Sequence, residues 1–282
     1  MDGLLLIDKP KGWTSFDVVA KVRGILQKAE NEKVARLLHV DAAQGSQEER
    51  ANRISDTESE RKTLADTAMH HKHAGVAGSA GQQGSAVRKI RVGHAGTLDP
   101  QATGLLTILV GSYCKRAQEF SKLDKVYEVE MELGKTSTTD DSEGAITETK
   151  QQIPDKTTVE QAILSFVGEI DQTPPAFSAI KVNGKRAYKL ARAGKTVELE
   201  PRKVTIYAID DIKITGDRVT FTVEVSSGTY IRSLVRDIGQ KLGCGAYMTE
   251  LRRTKVGNFD LKNAVGIREI NHLNFDKIKD IL

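Results

Sequence analysis

Two cysteines, one tryptophan and six prolines are few for 282 residues, and only 5% of the chain is aromatic. Cys114 and Cys244 lie far apart with no CxxC pair, which excludes a disulfide framework and argues against a structural zinc site. Such sparse cysteine points to a reducing compartment. No apolar run approaches the length of a bilayer span, and Leu4 to Ile7 is too short for a signal peptide before Asp8 and Lys9. The chain is therefore expected in the cytoplasm, with no membrane partner. Charge of one sign is not in large excess either. The 42 Lys+Arg oppose 38 Asp+Glu, a formal +4 that fits an anionic partner such as nucleic acid and fits many basic enzymes equally.

These scarce residues are also unevenly placed. All 7 Phe, 6 Tyr and the single Trp, with every proline and both cysteines, lie outside Lys28 to Val87. That stretch holds 8 Lys+Arg and 9 Asp+Glu, so the remaining 222 residues carry 34 against 29 and a surplus of +5. It keeps one amphipathic turn, Val34 to Val40, then runs polar from Gln44 to Asp66 and ends in small residues. This composition predicts an inserted, mobile loop. His70, His71 and His73 have no cysteine or acidic residue close by, so they read as a solvated run rather than a metal site. The other 222 residues hold the content for a globular core, since the chain is 39% hydrophobic overall.

Periodicity locates the elements. Leu4 to Ile7 reads as a short buried strand, and Thr14 or Ser15 caps a helix whose apolar face takes in Phe16, Val18, Val19, Val22, Ile25 and Leu26 before dissolving near Gln27. Leu105 to Val110 is an apolar strand. In VYEVEMELG, Tyr127, Val129, Met131 and Leu133 alternate with glutamates, the pattern of a half-buried strand. Thr158 and Gln161 make a capping box for a helix burying Val159, Ala162, Ile163, Phe166 and Val167. Val204 to Ile214 and Arg218 to Val225 form a hairpin about Gly216 and Asp217, and a helix from Ile231 turns Leu234, Val235, Ile238 and Leu242 inward. Without regular βαβ alternation, this order predicts an α+β fold around a mixed, mostly antiparallel sheet flanked by helices and loops.

Two segments carry chemistry. In GHAGTLDPQATG, residues 93–104, the glycines permit turns that a side chain would block, and Pro100 pushes Asp99 into an extended conformation. Such a loop presents one carboxylate in a fixed direction, although most Asp-Pro pairs only cap a turn. In SSGTYIRSLVRDIG, Arg232 falls in the first turn of a helix, where a cation opposes the helix dipole; a carboxylate partner would explain it there. An arginine beside an aspartate lowers the carboxylate pKa by about 1–3 units and suits a nucleophile.

With DKPKGWTS, KVYEVEMELGKTSTTDDSEG, TPPAFSAIKVNGKRAYKLARAG and LRRTKVGNF, these segments occur in the order found in bacterial tRNA pseudouridine synthases of the TruB family, which the chain resembles over nearly all of its length outside 28–87. The resemblance implies a pseudouridine synthase fold and isomerisation of the T-loop uridine conventionally numbered 55 in tRNA. It further implies that Asp99 is the catalytic aspartate, Arg232 its partner, Tyr127 the ring stacking on the target base and Tyr230 another aromatic of the pocket. His94 resembles the histidine that fills T-loop space when bases flip out, Leu251 an apolar pocket residue and Lys9 a lysine near it. Pro174 to Gly194 resembles the loop that closes over RNA, with Lys181, Lys185, Arg186 and Arg192 as phosphate contacts.

The redox-neutral rearrangement asks for no metal or organic cofactor. The partner expected is the tRNA T-arm, bound by a monomer with no obligatory protein partner. The domains expected are 1–27 with 88–262 for catalysis, 28–87 as the insertion, and 263–282 as a short extension without a complete PUA domain. Two rival readings are a tRNA-folding module without catalysis and the catalytic subunit of guide-RNA complexes. A glycoside hydrolase would need a second catalytic carboxylate, and none partners Asp99 convincingly.

Overall fold

The computed structural model describes residues 2–33, 89–178, 180–182, 184–194 and 199–272. Two units divide the chain, one of Met1–Arg23 with Arg91–Leu282 and one of Gly24–Ile90. In the smaller unit, Gln27 Oε1 accepts from the Ile90 backbone N–H at 3.0 Å and Gln27 Nε2 donates to Asn31 Oδ1 at 3.2 Å. His70, His71, His73 and the turn expected at Val34 to Val40 lie outside the described residues. Among the described residues, no helix is long and apolar enough to cross a membrane.

The elements follow one another as β1 (Gly3–Lys9), a helix α1 over 15–33, β2 (Val92–Ala95), β3 (Thr103–Val110), α2 (Ala117–Ser121), β4 (Lys125–Leu133), β5 (Lys135–Ser137) and β6 (Ile146–Glu148). Then come α3 (Lys156–Leu164), β7 (Gly168–Gln172), β8 (Lys181–Val182), β9 (Lys185–Arg186) and α4 (Ala187–Arg192). The chain continues with β10 (Arg202–Thr215), β11 (Arg218–Val225), α5 (Ile231–Leu242), β12 (Ala246–Val256), β13 (Phe259–Asp260) and β14 (Val265–Gly266). The main sheet runs β14-β1-β3-β12-β4-β11-β10-β7, with β2 on β3 and β13 on β12. Among the described strands of this sheet, β1 with β14 and β3 with β12 pair in parallel and the others antiparallel, so the sheet is mixed and mostly antiparallel, as the pattern indicated.

One detail of this sheet positions the site. Along one edge β3 pairs with β1 from Gly104 to Val110, while the other edge is shared: β2 takes residues 107–110 and β12 takes Thr103 and Gly104. The β2–β3 loop leaves the sheet at that division. Gly104 sits there with φ +97°, and a Cβ on it would collide with the Arg253 backbone, so the close approach of β12 needs glycine.

Burial follows side-chain chemistry. From Gly104 to Val110 every β3 residue is buried, and each Leu or Ile removed from water contributes about 1.5–3 kcal/mol. β4 turns Tyr127, Val129, Met131 and Leu133 inward, but Glu132 is buried as well. Its carboxylate is neutralised by Lys135 Nζ at 2.7 Å and bonded by the Tyr247 hydroxyl at 2.8 Å, which removes the burial penalty.

The helices depart from the pattern in instructive ways. Thr14 caps α1, accepting from Asp17 N at 3.1 Å while Asp17 Oδ2 accepts from Thr14 N at 2.9 Å. Ser15, Val18, Val19 and Val22 are buried, but Phe16, expected on the apolar face, is 69% exposed because Ser15 takes the inward place of the first turn. Helical backbone also persists to residue 33, past the point near Gln27 where the apolar stripe ends; Ala29, Glu30, Glu32 and Lys33 are helix formers that need no buried face.

In α3 the cap is Asp155 rather than Thr158, since its extended backbone lets the carboxylate accept from Thr158 N at 3.0 Å. The helix stops at Leu164, so Phe166 and Val167 leave the stripe and Val167 is exposed. α5 buries Ile231, Leu234, Val235 and Ile238 and closes on Gly243 at φ +72°, with Leu242 only half-buried at its end.

Candidate active site

Asp99 lies in the loop from β2 to β3, and the backbone on each side of it is clamped. Before it, Ser15 Oγ donates to Leu98 O at 3.0 Å and accepts from Leu98 N at 2.9 Å. After it, Pro100 O accepts from Gly12 N at 2.9 Å and from Lys9 Nζ at 3.2 Å. Ala102 N donates to Asp99 O at 3.1 Å, closing a turn. The carboxylate itself is left 45% exposed. Fixed backbone with an accessible side chain is the arrangement a reacting group requires.

Lys9 is fully buried, and its ammonium also donates to Pro10 O at 3.0 Å and Trp13 O at 2.7 Å. Its pKa falls from 10.5 to about 8, chiefly through burial and to a smaller extent through Arg253, while Asp99 and Asp17 oppose the shift. The residue expected near the pocket is thus an internal strut of the Asp99 loop.

Arg232 occupies the first turn of α5 with a side chain 6% exposed, and its Nη2 lies 2.8 Å from Asp99 Oδ2. The rest of its guanidinium is used as well. Nη2 donates to Phe177 O at 2.9 Å, Nη1 to Thr139 O at 3.1 Å, and Nε stands 3.5 Å from Asp141 Oδ2. Asp141 is buried, accepting also from Thr139 Oγ1 at 2.5 Å and Glu143 N at 3.0 Å. The positive end of a helix dipole disfavours a cation, and two carboxylates with two carbonyls offset that. Next to this pair, Asp140 bonds Arg236 at 3.2 Å, and burial pushes its pKa up.

The remaining expected residues fall into three places. Tyr230 is the N-cap of α5; Gln172 Oε1 accepts from its N–H at 2.8 Å and Gln172 Nε2 donates to its carbonyl at 3.1 Å. Its phenol is pushed up by burial, with Arg202 and Arg232 opposing the shift and Asp99 adding to it. Tyr127 and Leu251 are buried on the adjacent strands β4 and β12. Tyr127 is paired with Arg253, whose Nη2 reaches Gly96 O at 2.9 Å and whose Nε reaches Leu105 O at 2.7 Å. His94, on β2, sits below its usual pKa through burial and Arg253, and its ring meets Phe16 edge to face.

Further along the chain, Lys181 and Lys185 lie on the paired strands β8 and β9, with Lys181 opposite Arg186. Arg186 and Arg192 are exposed, the latter over the Tyr188 ring at 5.7 Å. Among the described residues no group of three or more His, Cys, Asp or Glu is placed to hold a metal.

Sequence reasoning missed Ser15, Asp141, Gln172 and Arg253 as members of the site. The signal for Asp141 was the acidic pair in TTDDSEG; Ser15 and Gln172 carried none, because their partners are backbone atoms 83 and 58 residues away.

Known proteins match this chain throughout. Residues 85–231 match TruB family pseudouridylate synthase (N terminal domain), and residues 232–280 match tRNA pseudouridylate synthase B C-terminal domain. The tRNA pseudouridine synthase B of Clostridium kluyveri is 38% identical over 277 residues, covering 98% of this chain and 75% of its own. That of Pseudomonas syringae is 47% identical over 186 residues, covering 66% of this chain and 61% of its own. A chain in the crystal structure of a Cbf5-Nop10-Gar1 complex aligns with TM-score 0.57 at 24% identity, over 96% of this chain and 54% of that one, a likeness of fold.

Proposed function

The chain belongs to the TruB family of pseudouridylate synthases, and from that membership we propose that it isomerises the T-loop uridine of tRNA at position 55, with Asp99 as nucleophile. The observation that carries this is the 2.8 Å pair between an accessible Asp99 carboxylate and a buried Arg232. A buried guanidinium held also by Asp141 and two backbone carbonyls orients the carboxylate while leaving its other face to the substrate.

The reaction breaks the N1–C1′ bond, turns the uracil and rejoins it through C5, so the detached base must be retained. Two routes suit the aspartate. Asp99 adds to uracil C6, or it acts at ribose C1′ as uracil departs and a C2′ proton is lost, in which case Tyr127 takes that proton. In either route the base first leaves the folded loop at a cost of a few kcal/mol, and stacking on Tyr127 returns about 1–3 kcal/mol. Tyr230 and Leu251 complete the pocket, and Arg186 and Arg192, with Lys181 and Lys185 on the same segment, meet phosphates.

The test is an unmodified T-arm hairpin incubated with the protein alone, without guide RNA, followed by mapping of pseudouridine. Product at the T-loop uridine, lost in Asp99→Asn, is expected. No product from the unaltered chain overturns the assignment, and product that appears only with a guide RNA moves it to the guide-dependent class.

A further inference from the structure

Phe16 is the most exposed of the large hydrophobic side chains among the described residues, at 69%. A single exposed apolar residue is ordinary; what sets Phe16 apart is its place. It follows Ser15, whose hydroxyl makes both hydrogen bonds to the Leu98 backbone, and Leu98 precedes Asp99. The first turn that carries it is held by the Thr14–Asp17 capping box, so the ring projects from a rigid base. Its ring centroid lies 6.3 Å from that of His94 with the planes at 84°, the edge-to-face geometry aromatic pairs prefer. His94 Nδ1 is buried and finds no hydrogen-bond partner among the described residues. The two rings thus form a preorganised aromatic step beside the Asp99 loop, with Phe16 facing solvent.

We propose that Phe16 is a further substrate-binding residue, stacking on a nucleobase of the RNA strand next to the uridine presented to Asp99. This rests on the functional reading above. When one nucleotide leaves a folded loop, its neighbours lose a stacking partner, and an exposed ring on the turn that is hydrogen-bonded to the Asp99 loop supplies one. A π-face accepts any base, so Phe16 contributes affinity and little sequence preference.

The experiment compares the full-length chain with Phe16→Ala and Phe16→Tyr on the unmodified T-arm hairpin, by initial rates and by anisotropy of a labelled hairpin. For Phe16→Ala, KM and Kd are expected to rise about 5- to 150-fold, the change that about 1–3 kcal/mol of stacking represents at 1.4 kcal/mol per factor of ten, with the loss in KM and not in kcat. Phe16→Tyr keeps a ring and is expected within about twofold of the unaltered protein, on the same stacking basis. Unchanged RNA affinity in Phe16→Ala overturns the proposal. So does a loss that falls on kcat alone, which would mean a displaced Asp99 loop, or a loss that Phe16→Tyr shares. Because the ring is exposed, thermal stability should not fall, and a folded alanine variant is available to read. An unaltered chain that binds the hairpin but forms no pseudouridine overturns the functional reading and leaves the anisotropy comparison to decide this one.

Discussion

Arg232 meets Asp99 through Nη2 at 2.8 Å; the same nitrogen donates to Phe177 O, while Nη1 donates to Thr139 O and Nε faces Asp141. The arginine is buried and the aspartate is not. Geometry is therefore imposed from the inside outward: Asp141 and the two carbonyls orient Arg232, and Arg232 orients Asp99. Asp99→Asn should abolish pseudouridine formation while leaving hairpin binding within a few-fold, since charge and not shape is removed. Substantial residual turnover would remove Asp99 from the nucleophile's role.

Arg232→Lys keeps the positive charge but loses the planar fork. A single ammonium cannot span two carboxylates and two carbonyls in these directions. A loss of one charge-assisted bond, about 1.5–3 kcal/mol, corresponds to a fall in kcat of about 10- to 160-fold. Near-normal kcat in single-turnover assays would mean that charge alone suffices.

Lys9 and Lys125 are both buried, and burial lowers each from 10.5 to about 8. Below about pH 8 the folded and unfolded chains both hold these protons. Between about 8 and 10.5 the unfolded chain binds more of them, so each lysine makes stability rise with pH in that window. Urea midpoints measured from pH 7.5 to 10 should show a smaller pH-dependent gain in Lys125→Met than in the unaltered protein. An identical pH dependence in the two would contradict a lowered Lys125 pKa.

Gly104→Ala places a methyl group against the Arg253 backbone at a residue with φ +97°. No rotamer can relieve a clash between two backbones, and β3 must separate from β12 at the point where the Asp99 loop begins. Destabilisation on the order of 4 kcal/mol or insoluble expression is expected. A variant with unchanged melting temperature would show that this contact is not required.

Replacing residues 34–88 with a short Gly/Ser linker is expected to preserve pseudouridine formation on the hairpin, since loop closure costs little at such lengths. Loss of activity in a folded protein would give that segment a part in substrate binding.

The strands were legible because their chemistry is local. The alternation of Tyr127, Val129, Met131 and Leu133, the apolar run of β3 and the turn at Gly216 and Asp217 each declare a face or an end within a few residues. Where a nearby competitor existed, local reading failed: Asp155 outbid Thr158 for the α3 cap, and Ser15 displaced Phe16 from the interior. Both outcomes turn on which polar group reaches a backbone partner first.

The sequence by itself determined that Asp99 sits in a glycine-bounded turn before a proline and that Arg232 stands at a helix start in want of an anion, because turn and capping preferences act over three or four residues. Only the tertiary structure decided that the two meet, that Asp141 stands behind Arg232, and that Ser15 and Lys9 hold the backbone on either side of Asp99. Those contacts join residues 83 to 133 positions apart, and the loop that carries Asp99 leaves the sheet where the β3 edge is divided between β2 and β12. Sheet register sets which distant segments become neighbours, and no local propensity encodes it.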